Sequence, residues 1–190
     1  MKIRDSGLPA QQLWEGFFDP PRLLAALGCR PGSGAVLEFG CGYGTFTLAA
    51  ACMVEGTVHA LDIDPEMVAT TRARAARAGL ANVSVEERDF LETGSGRPPG
   101  SIGFAMLFSI LHLEQPAALL RETARILRPG GTAGIAHWRA DIDTPRGPAL
   151  QLRPRPESCQ RWAEAAGFAT KRLAELPGAP WHWGMLLTRA

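Results

Sequence analysis

The chain has 190 residues and a formal net charge of +1, with 20 lysine and arginine residues against 19 aspartate and glutamate residues. This length suits one well-buried domain, and the balanced charge provides no global basic field, so we expect neither nucleic acid nor an anionic membrane surface as a partner. Since no apolar run approaches the ~20 residues of a membrane helix and the N-terminus lacks the apolar stretch of a signal peptide, we expect a cytoplasmic protein.

Aromatic and leucine side chains mark the segment before the first predicted strand, residues 1–34. Their spacing predicts one or two amphipathic helices, which could pack over the ligand end of a sheet. Trp14 and Phe18 could then form an aromatic lid on the substrate side, and a helix that simply packs on the core explains them equally well.

A buried strand followed by a glycine-rich turn is the most informative feature of the sequence. The apolar run at 36–39 is typical of a parallel strand with both faces covered, and residues 45–54 predict a helix. Glycine occupies every second position between them, where the backbone must turn sharply and a ligand must approach it closely; these residues are Gly40, Gly42 and Gly44. Because the free N–H groups of the helix N-terminus face the same place, the turn predicts a site for a nucleotide-like ligand.

The glycine spacing argues against a dinucleotide site. A G-x-G-x-x-G fingerprint counted from Gly40 would need glycine where the chain has Thr45, and one counted from Gly42 would need it at Thr47. We therefore do not expect the pyrophosphate grip of a nicotinamide-dependent oxidoreductase.

Strand-like and helix-like segments then alternate in the way that builds a parallel sheet with helices on both faces. The next strands are predicted at 57–62, 83–88 and 103–109. Asp64 and Pro65 predict the start of a helix that Gly79 ends. Residues 91–101, rich in glycine and proline, predict a loop or a single turn.

The last third of the chain continues the alternation and closes with two strands. We predict helices at 116–127 and 156–166, and strands at 132–138, 169–176 and 182–188. The turn Arg128–Gly131 separates the first of these helices from the strand that follows. Because a connection with two prolines and a glycine joins the last two strands, we expect them to form an antiparallel pair.

Polar and aromatic residues at the strand ends predict the ligand contacts. Asp62 follows the glycine turn by roughly twenty residues, a position from which a carboxylate can accept hydrogen bonds from both hydroxyls of a ribose. Asp89 and Phe90 offer an acceptor for an exocyclic amine beside an aromatic face for a purine. Glu38, within the first strand, would be a costly buried charge unless it met backbone N–H groups or a cationic group of the ligand, such as an ammonium.

The segments VLEFGCGYG, VHALDID, ERDF, ILHL and RILRPGG, in this order and at these intervals, resemble the class I S-adenosylmethionine-dependent methyltransferases over roughly residues 35–138. The resemblance implies an α/β fold of three layers, with a Rossmann-like, doubly wound, mostly parallel sheet of seven strands whose last strand is antiparallel. It also implies S-adenosyl-L-methionine as cofactor and S-adenosyl-L-homocysteine as product. The wider pattern, with ILHL at residues 110–113, looks most like the small-molecule branch that includes ubiquinone and menaquinone biosynthesis enzymes.

The same resemblance implies roles for individual residues. Gly40 and Gly42 would contact the methionine part of the cofactor, Asp62 the ribose hydroxyls, Ile63 one face of the adenine, Asp89 and Phe90 its amine and ring, and Phe108 the region of the sulfonium. One position departs from the family pattern, because many members carry an acid near the start of the fourth strand where this chain has Gly103. That acid supports the local loop, so its absence bears on rigidity more than on activity.

Methyl transfer needs chiefly that donor and acceptor are held in line, and a hydroxyl or amine acceptor must also lose a proton. Histidine can accept that proton near neutral pH. His112 and His137 both follow strand segments on the ligand side, so both are candidate bases, and a purely structural role remains the alternative for each.

An arginine- and proline-rich loop follows the fifth strand, where a substrate would enter. Arg139 and Arg146 belong to it, and because arginine binds carboxylate or phosphate through paired hydrogen bonds, we hypothesise an acidic small-molecule acceptor. A surface loop whose arginines pair with nearby acids is the alternative.

We therefore predict one methyltransferase domain over 1–190, made of a helical lid (1–34), a cofactor-binding core (35–138) and a substrate-side segment (139–190), acting as monomer or homodimer. A cofactor-binding protein without turnover is the alternative function, and an NAD(P)-dependent oxidoreductase ranks below it. The four cysteines form no C-x-x-C pair and no zinc-ligand spacing, so we expect free thiols, no metal and no arsenite chemistry.

Overall fold

A sheet of seven strands forms the centre of the fold. The structure, a computed structural model, describes residues 9–190 except for the side chains of residues 170 and 171. The strands are β1 (Val36–Phe39), β2 (Val58–Asp62), β3 (Val83–Glu87), β4 (Ile102–Phe108), β5 (Leu127–Trp138), β6 (Phe168–Ala174) and β7 (His182–Arg189). Residues 1–8, which include the segment searched for a signal peptide and the start of the predicted lid, lie outside the described residues.

Helices connect the strands in the predicted alternation. They are α1 (Gln11–Glu15), α2 (Pro20–Ala26), α3 (Thr45–Met53), α4 (Pro65–Arg77), α5 (Phe90–Thr93), α6 (Pro116–Ile126) and α7 (Pro156–Ala165), with short 3₁₀ turns at Pro31–Ser33 and Leu150–Leu152. The Asp64 carboxylate accepts hydrogen bonds from the backbone N–H groups of Glu66 and Met67, which confirms the predicted cap of α4. The single turn α5 replaces a full helix in the glycine-rich crossover, also as predicted.

The strand order is β3-β2-β1-β4-β5-β7-β6. The first five strands run parallel, whereas β7 is antiparallel to both β5 and β6, so the predicted seven-stranded sheet and its antiparallel last strand are confirmed. The chain turns back between β1 and β4, where successive connections lead to opposite edges of the sheet. In a sheet of this kind, ligands bind beyond the carboxyl ends of the strands at that reversal.

Two apolar layers cover the faces of the sheet and confirm the predicted three-layer arrangement. Val36, Phe104 and Met106 on one face pack with residues of α1, α2 and α3. Leu37 and Leu107 on the other face pack with residues of α6 and α7. Alternate residues of β4 thus point into opposite layers, which explains why this strand is apolar throughout.

The structure corrects the start of the fifth strand. β5 begins at Leu127, five residues before the predicted Thr132, and the pairing with β4 shifts from Ile102 with Leu127 to Phe104 with Thr132. The glycine-rich turn therefore lies inside the strand as an irregularity, with Gly130 in a left-handed conformation at φ 69°. The sequence signalled a turn there, but only the pairing with β4 shows that the strand continues on both sides of it.

Gly103 at the start of β4 has a packing reason. A Cβ at this position would lie 1.8 Å from the carbonyl oxygen of Ser33, so no side chain fits without moving the backbone. The Gly103 backbone N–H donates to the carbonyl of Ala35 at 2.8 Å. This close backbone contact explains glycine at the position where the family resemblance implies an acid.

No helix within residues 9–190 combines the length and the apolar character needed to cross a membrane.

Candidate functional site

The glycine turn follows β1 and is closed by its own backbone conformation. Gly40, Gly42 and Gly44 have φ values of 75°, 51° and 77°, in the left-handed region that glycine adopts without a steric penalty. The backbone N–H groups of Gly40 and Cys41 both donate to the carbonyl of Leu61, which ties the turn to the end of β2. The predicted need for glycine is therefore met at all three positions.

Two residues of α4 that the sequence analysis missed hold the turn from behind. The Thr71 hydroxyl donates to the carbonyl of Gly42 at 2.8 Å, and the Arg74 guanidinium donates to the carbonyl of Tyr43 at 2.5 Å. Arg74 also forms a 2.6 Å ion pair with Glu15 of α1, so the same side chain connects the turn to the N-terminal helix. A threonine and an arginine one turn apart in a surface helix give no sequence signal of such a role.

One cleft beyond the carboxyl ends of β1, β2 and β4 gathers every residue predicted to bind the cofactor. The empty space between its walls, open solvent included, is about 920 Å³. The predicted residues that line it are Glu38, Gly40, Gly42, Asp62, Ile63, Asp89, Phe90 and Phe108.

Glu38 is a buried carboxylic acid at the base of the cleft, 2% exposed. It accepts a hydrogen bond from the Thr47 hydroxyl of α3. Burial raises the pKa of Glu38 to about 8, and the negative charge of Asp62 adds to the shift, while the Thr47 hydrogen bonds oppose it. A cationic group placed beside Glu38 would reverse this shift by stabilising the carboxylate.

Asp62 closes β2 and joins the glycine turn to the start of α4. One carboxylate oxygen accepts from the backbone N–H of Gly42 at 2.8 Å, and the other accepts from that of Asp64 at 3.0 Å. Burial raises the pKa of Asp62 despite these two hydrogen bonds. Because Asp64 caps α4 with its own side chain, Asp62 is left to face the cleft.

The far end of the cleft is formed by Ile63 and by the residues after β3. The Asp89 carboxylate accepts from the backbone N–H groups of Leu91 at 3.1 Å and Glu92 at 3.2 Å, so it caps α5, a role that the sequence analysis did not predict. Phe90 packs edge-on against Phe39, with ring centroids 5.2 Å apart. This end therefore combines a carboxylate with apolar and aromatic surface.

The lining of the cleft is acidic. Among the described residues that line it, four carry carboxyl groups and one, Arg88, is an arginine; the acids are Glu38, Asp62, Asp64 and Asp89. Such a lining favours a ligand that carries positive charge and opposes one that carries phosphates.

The two candidate bases occupy different environments. His112 lines the cleft, whereas His137 on β5 is fully buried and is not part of the lining. Burial lowers the pKa of both imidazoles, to about 3 for His137, where the neighbouring His112 contributes as well. Of the two, only His112 is in a position to touch a molecule in the cleft.

The predicted substrate-side residues also separate. Trp14 lines the cleft, but Phe18 does not, because it packs between Phe46 and His182 at centroid distances of 5.0 and 4.7 Å. Arg139 forms a paired hydrogen bond with Asp141 at 3.0 and 2.7 Å, and Arg146 is exposed. Neither arginine lines the cleft, and for Arg139 the alternative of pairing with a nearby acid describes the structure.

Within the described residues, no group of histidine, cysteine, aspartate and glutamate side chains could hold a metal ion, and all four cysteines are free thiols.

Comparison with known proteins supports one family. Residues 36–131 match a family model described as a methyltransferase domain. A protein of Saccharothrix syringae named nocamycin O-methyltransferase is 37% identical over 123 residues, covering 63% of this chain and 43% of that protein. A ubiquinone biosynthesis O-methyltransferase of Xanthomonas campestris pv. campestris (strain B100) is 34% identical over 118 residues, covering 60% of this chain and 47% of that protein.

Among solved structures, that of a SAM-dependent methyltransferase from Aquifex aeolicus is similar to this chain over 92% of both chains, with 25% identity and a TM-score of 0.82. This chain spans less than half the length of the two named curated relatives.

Proposed function

This chain belongs to the methyltransferase domain family, and from that premise we propose that it transfers a methyl group from S-adenosyl-L-methionine to a small molecule. When bound, the cofactor supplies an electrophilic methyl group on a sulfonium centre. The observation that carries the proposal is the single acidic cleft that collects all eight predicted cofactor-binding residues at the glycine turn.

The charge of the cleft fits this cofactor. Its sulfonium and ammonium are both cationic, and the cleft presents four carboxyl groups against one arginine. Glu38, whose pKa burial raises to about 8, would be returned to its charged form by the cofactor's ammonium. A nicotinamide dinucleotide would instead bring an anionic pyrophosphate to the same acids, so the charge as well as the glycine spacing argues against it.

Each of the eight predicted cofactor-binding residues receives a role in this proposal. The backbone of Gly40 and Gly42 would contact the amino-acid part, and Asp62 would accept hydrogen bonds from the ribose hydroxyls. Ile63 and Phe90 would enclose the adenine.

Asp89 would face the adenine amine, and Phe108 would lie near the sulfur, which completes the set that the family resemblance implies. Trp14, from α1, would close the cleft from the N-terminal side.

We assign the general base to His112. Its lowered pKa leaves the imidazole neutral at pH 7, and a neutral ring nitrogen can take a proton from the acceptor. The His112 imidazole would take the O–H or N–H proton of the acceptor atom that receives the methyl group. His137 would act only through His112.

The names of the two relatives make an oxygen acceptor the first to test, and N-, S- and C-methylation remain open.

The test is turnover. Purified protein is incubated with S-adenosyl-L-methionine and a panel of small hydroxylated acids and amines, and release of S-adenosyl-L-homocysteine is followed by mass spectrometry. We expect product with at least one acceptor. Binding of the cofactor without product across the panel would favour the alternative of a cofactor-binding protein without turnover. If neither S-adenosyl-L-methionine nor S-adenosyl-L-homocysteine binds, the proposal is contradicted.

A further inference from the structure

A second depression adjoins the cofactor cleft. We call it the acceptor groove; its walls are the loop Leu111–Leu113 after β4, the turn Leu150–Leu152, the segment Arg153–Arg155, and Ser158 and Trp162 of α7. His112 and Leu113 line both the cleft and the groove. A molecule lying in the groove would therefore reach the imidazole assigned as base and the mouth of the cofactor cleft together.

About half of the groove's surface is apolar. Leu150 is 51% exposed and Leu152 is 41% exposed, and they belong to the few large apolar side chains of the described residues that are this accessible. Single exposed leucines are common, but here two lie beside Leu111, Leu113 and the half-buried Trp162. Apolar side chains gathered in a concave place beside polar ones are typical of a binding site.

The polar part of the groove is cationic. Among the described residues that line it are two arginines, and none is an aspartate or glutamate. This is the opposite of the neighbouring cleft, whose lining holds four carboxyl groups. The two depressions thus differ in the charge that they favour, a cation in the cleft and an anion in the groove.

The two arginines are not equivalent. The Arg153 guanidinium donates to three backbone carbonyls, of Pro148 at 2.8 Å, Arg139 at 2.8 Å and Arg146 at 3.2 Å, and it lies over the Trp138 ring at 5.8 Å. Arg153 therefore holds the loop 139–153 in place.

Arg155 is exposed, and its side chain makes no direct hydrogen bond or ion pair within residues 9–190. The pKa of the nearby Asp141 is lowered chiefly by its hydrogen bond to Arg139 and to a smaller extent by the charge of Arg155. The nearby Asp141 is already bound by Arg139 at 3.0 and 2.7 Å. Arg155 thus remains available to an anion in the groove.

We propose that the acceptor groove binds the methyl acceptor and that this acceptor is an amphipathic anion, with an apolar body along Leu150 and Leu152 and a carboxylate or phosphate on Arg155. The proposal rests on the proposed function. It differs from the sequence-based hypothesis in which arginine binds the anion, because Arg155 takes the role that the sequence suggested for Arg139 and Arg146.

The experiment measures calorimetric binding of octanoate, octyl phosphate and octanamide to the protein saturated with S-adenosyl-L-homocysteine. The first two probes distinguish carboxylate from phosphate, and the amide retains the apolar chain without the charge. We expect at least one anion to bind about tenfold more tightly than octanamide, because the fork of arginine pairs with both oxygens. Arg155→Ala should remove that preference, whereas Arg77→Ala, which deletes an exposed arginine on α4, should not.

The apolar wall is tested separately. Leu152→Ser should weaken all three probes, and Leu173→Ser, at an exposed leucine of β6 outside the groove, should leave them unchanged. S-adenosyl-L-homocysteine affinity should be the same in every variant, which separates this proposal from the proposed function. Equal binding of anion and amide, an unchanged preference in Arg155→Ala, or no binding of any probe to the loaded protein would overturn the proposal.

Discussion

The rings of His112 and His137 lie 5.5 Å apart between centroids at an interplanar angle of 74°, yet only His112 reaches the cleft. The sequence presents them as two equivalent candidates, each just after a strand. In the structure, His137 is fully buried beside His112, so of these two imidazoles only that of His112 can meet a molecule in the cleft.

Replacing the cleft-facing imidazole tests its role as base. We expect His112→Asn to lower kcat about 10²–10⁴-fold, because the acceptor's proton would lose its receiver, with little change in S-adenosyl-L-homocysteine affinity. In the wild type, kcat should fall as the pH drops through the pKa of His112, which lies below its ordinary value of 6.5. His59→Asn, at a histidine outside the cleft, is the control. An unchanged kcat and pH profile in His112→Asn would exclude the assignment.

The buried histidines make stability depend on acid. Burial lowers the pKa of His137 and of His182 to about 3, whereas both have the ordinary value of 6.5 in the unfolded chain. Between these values the unfolded state binds more protons, so the free energy of unfolding should fall as the pH drops below about 6.5. Thermal melting from neutral to acid pH should show the loss, and His137→Gln should make it shallower. An identical pH dependence in that variant would contradict the account.

Glu38 makes cofactor binding depend on pH. Its pKa in the folded protein is raised to about 8, so the carboxyl is largely protonated at neutral pH. Because the folded state then binds more protons than the unfolded chain, the free energy of unfolding should fall as the pH rises through that value. An ammonium beside it favours the carboxylate, so binding should release a proton and affinity should increase from about pH 6 to pH 8.

Calorimetry in two buffers of different ionisation enthalpy measures the released proton. Glu38→Gln should weaken S-adenosyl-L-homocysteine binding and remove the pH dependence, while Glu55→Gln, at an exposed acid outside the cleft, should do neither. A pH-independent affinity in the wild type would show that Glu38 does not meet the ammonium.

The contact at Gly103 predicts an intolerant position. Because a Cβ there would lie 1.8 Å from the Ser33 carbonyl oxygen, Gly103→Ala should lower the free energy of unfolding by about 1–3 kcal/mol or more. Gly32→Ala adds the same methyl group where no atom lies within 4 Å, and it should be close to neutral. Denaturant unfolding compares the two variants, and equal stability would show that the backbone yields at no cost.

The cofactor side of the site could be predicted because it depends on chain order. Parallel strands place their carboxyl ends on one edge, so Glu38, Asp62 and Asp89 had to converge once β1, β2 and β3 were identified. Helix caps such as Asp64 are equally local, since the signal and its effect lie within one turn.

The remainder depends on tertiary packing that no local pattern encodes. Thr71 and Arg74 hold the glycine turn from another helix, and the direction of a side chain across such a distance follows from the fold. The same is true of the arginine loop, where the Arg153 guanidinium binds the backbone carbonyl of Arg139, fourteen residues away. Counting arginines predicts a cationic loop, but not which guanidinium remains available to a ligand.

Calorimetric titration with S-adenosyl-L-homocysteine is the most direct test of the cofactor site. We predict one binding site in the wild type, at least about tenfold weaker binding in Asp62→Asn because charged hydrogen bonds to the ribose are lost, and wild-type affinity in Asp143→Asn, where an exposed acid outside the cleft is changed. No binding at millimolar ligand, or equal affinity in Asp62→Asn, would contradict the account.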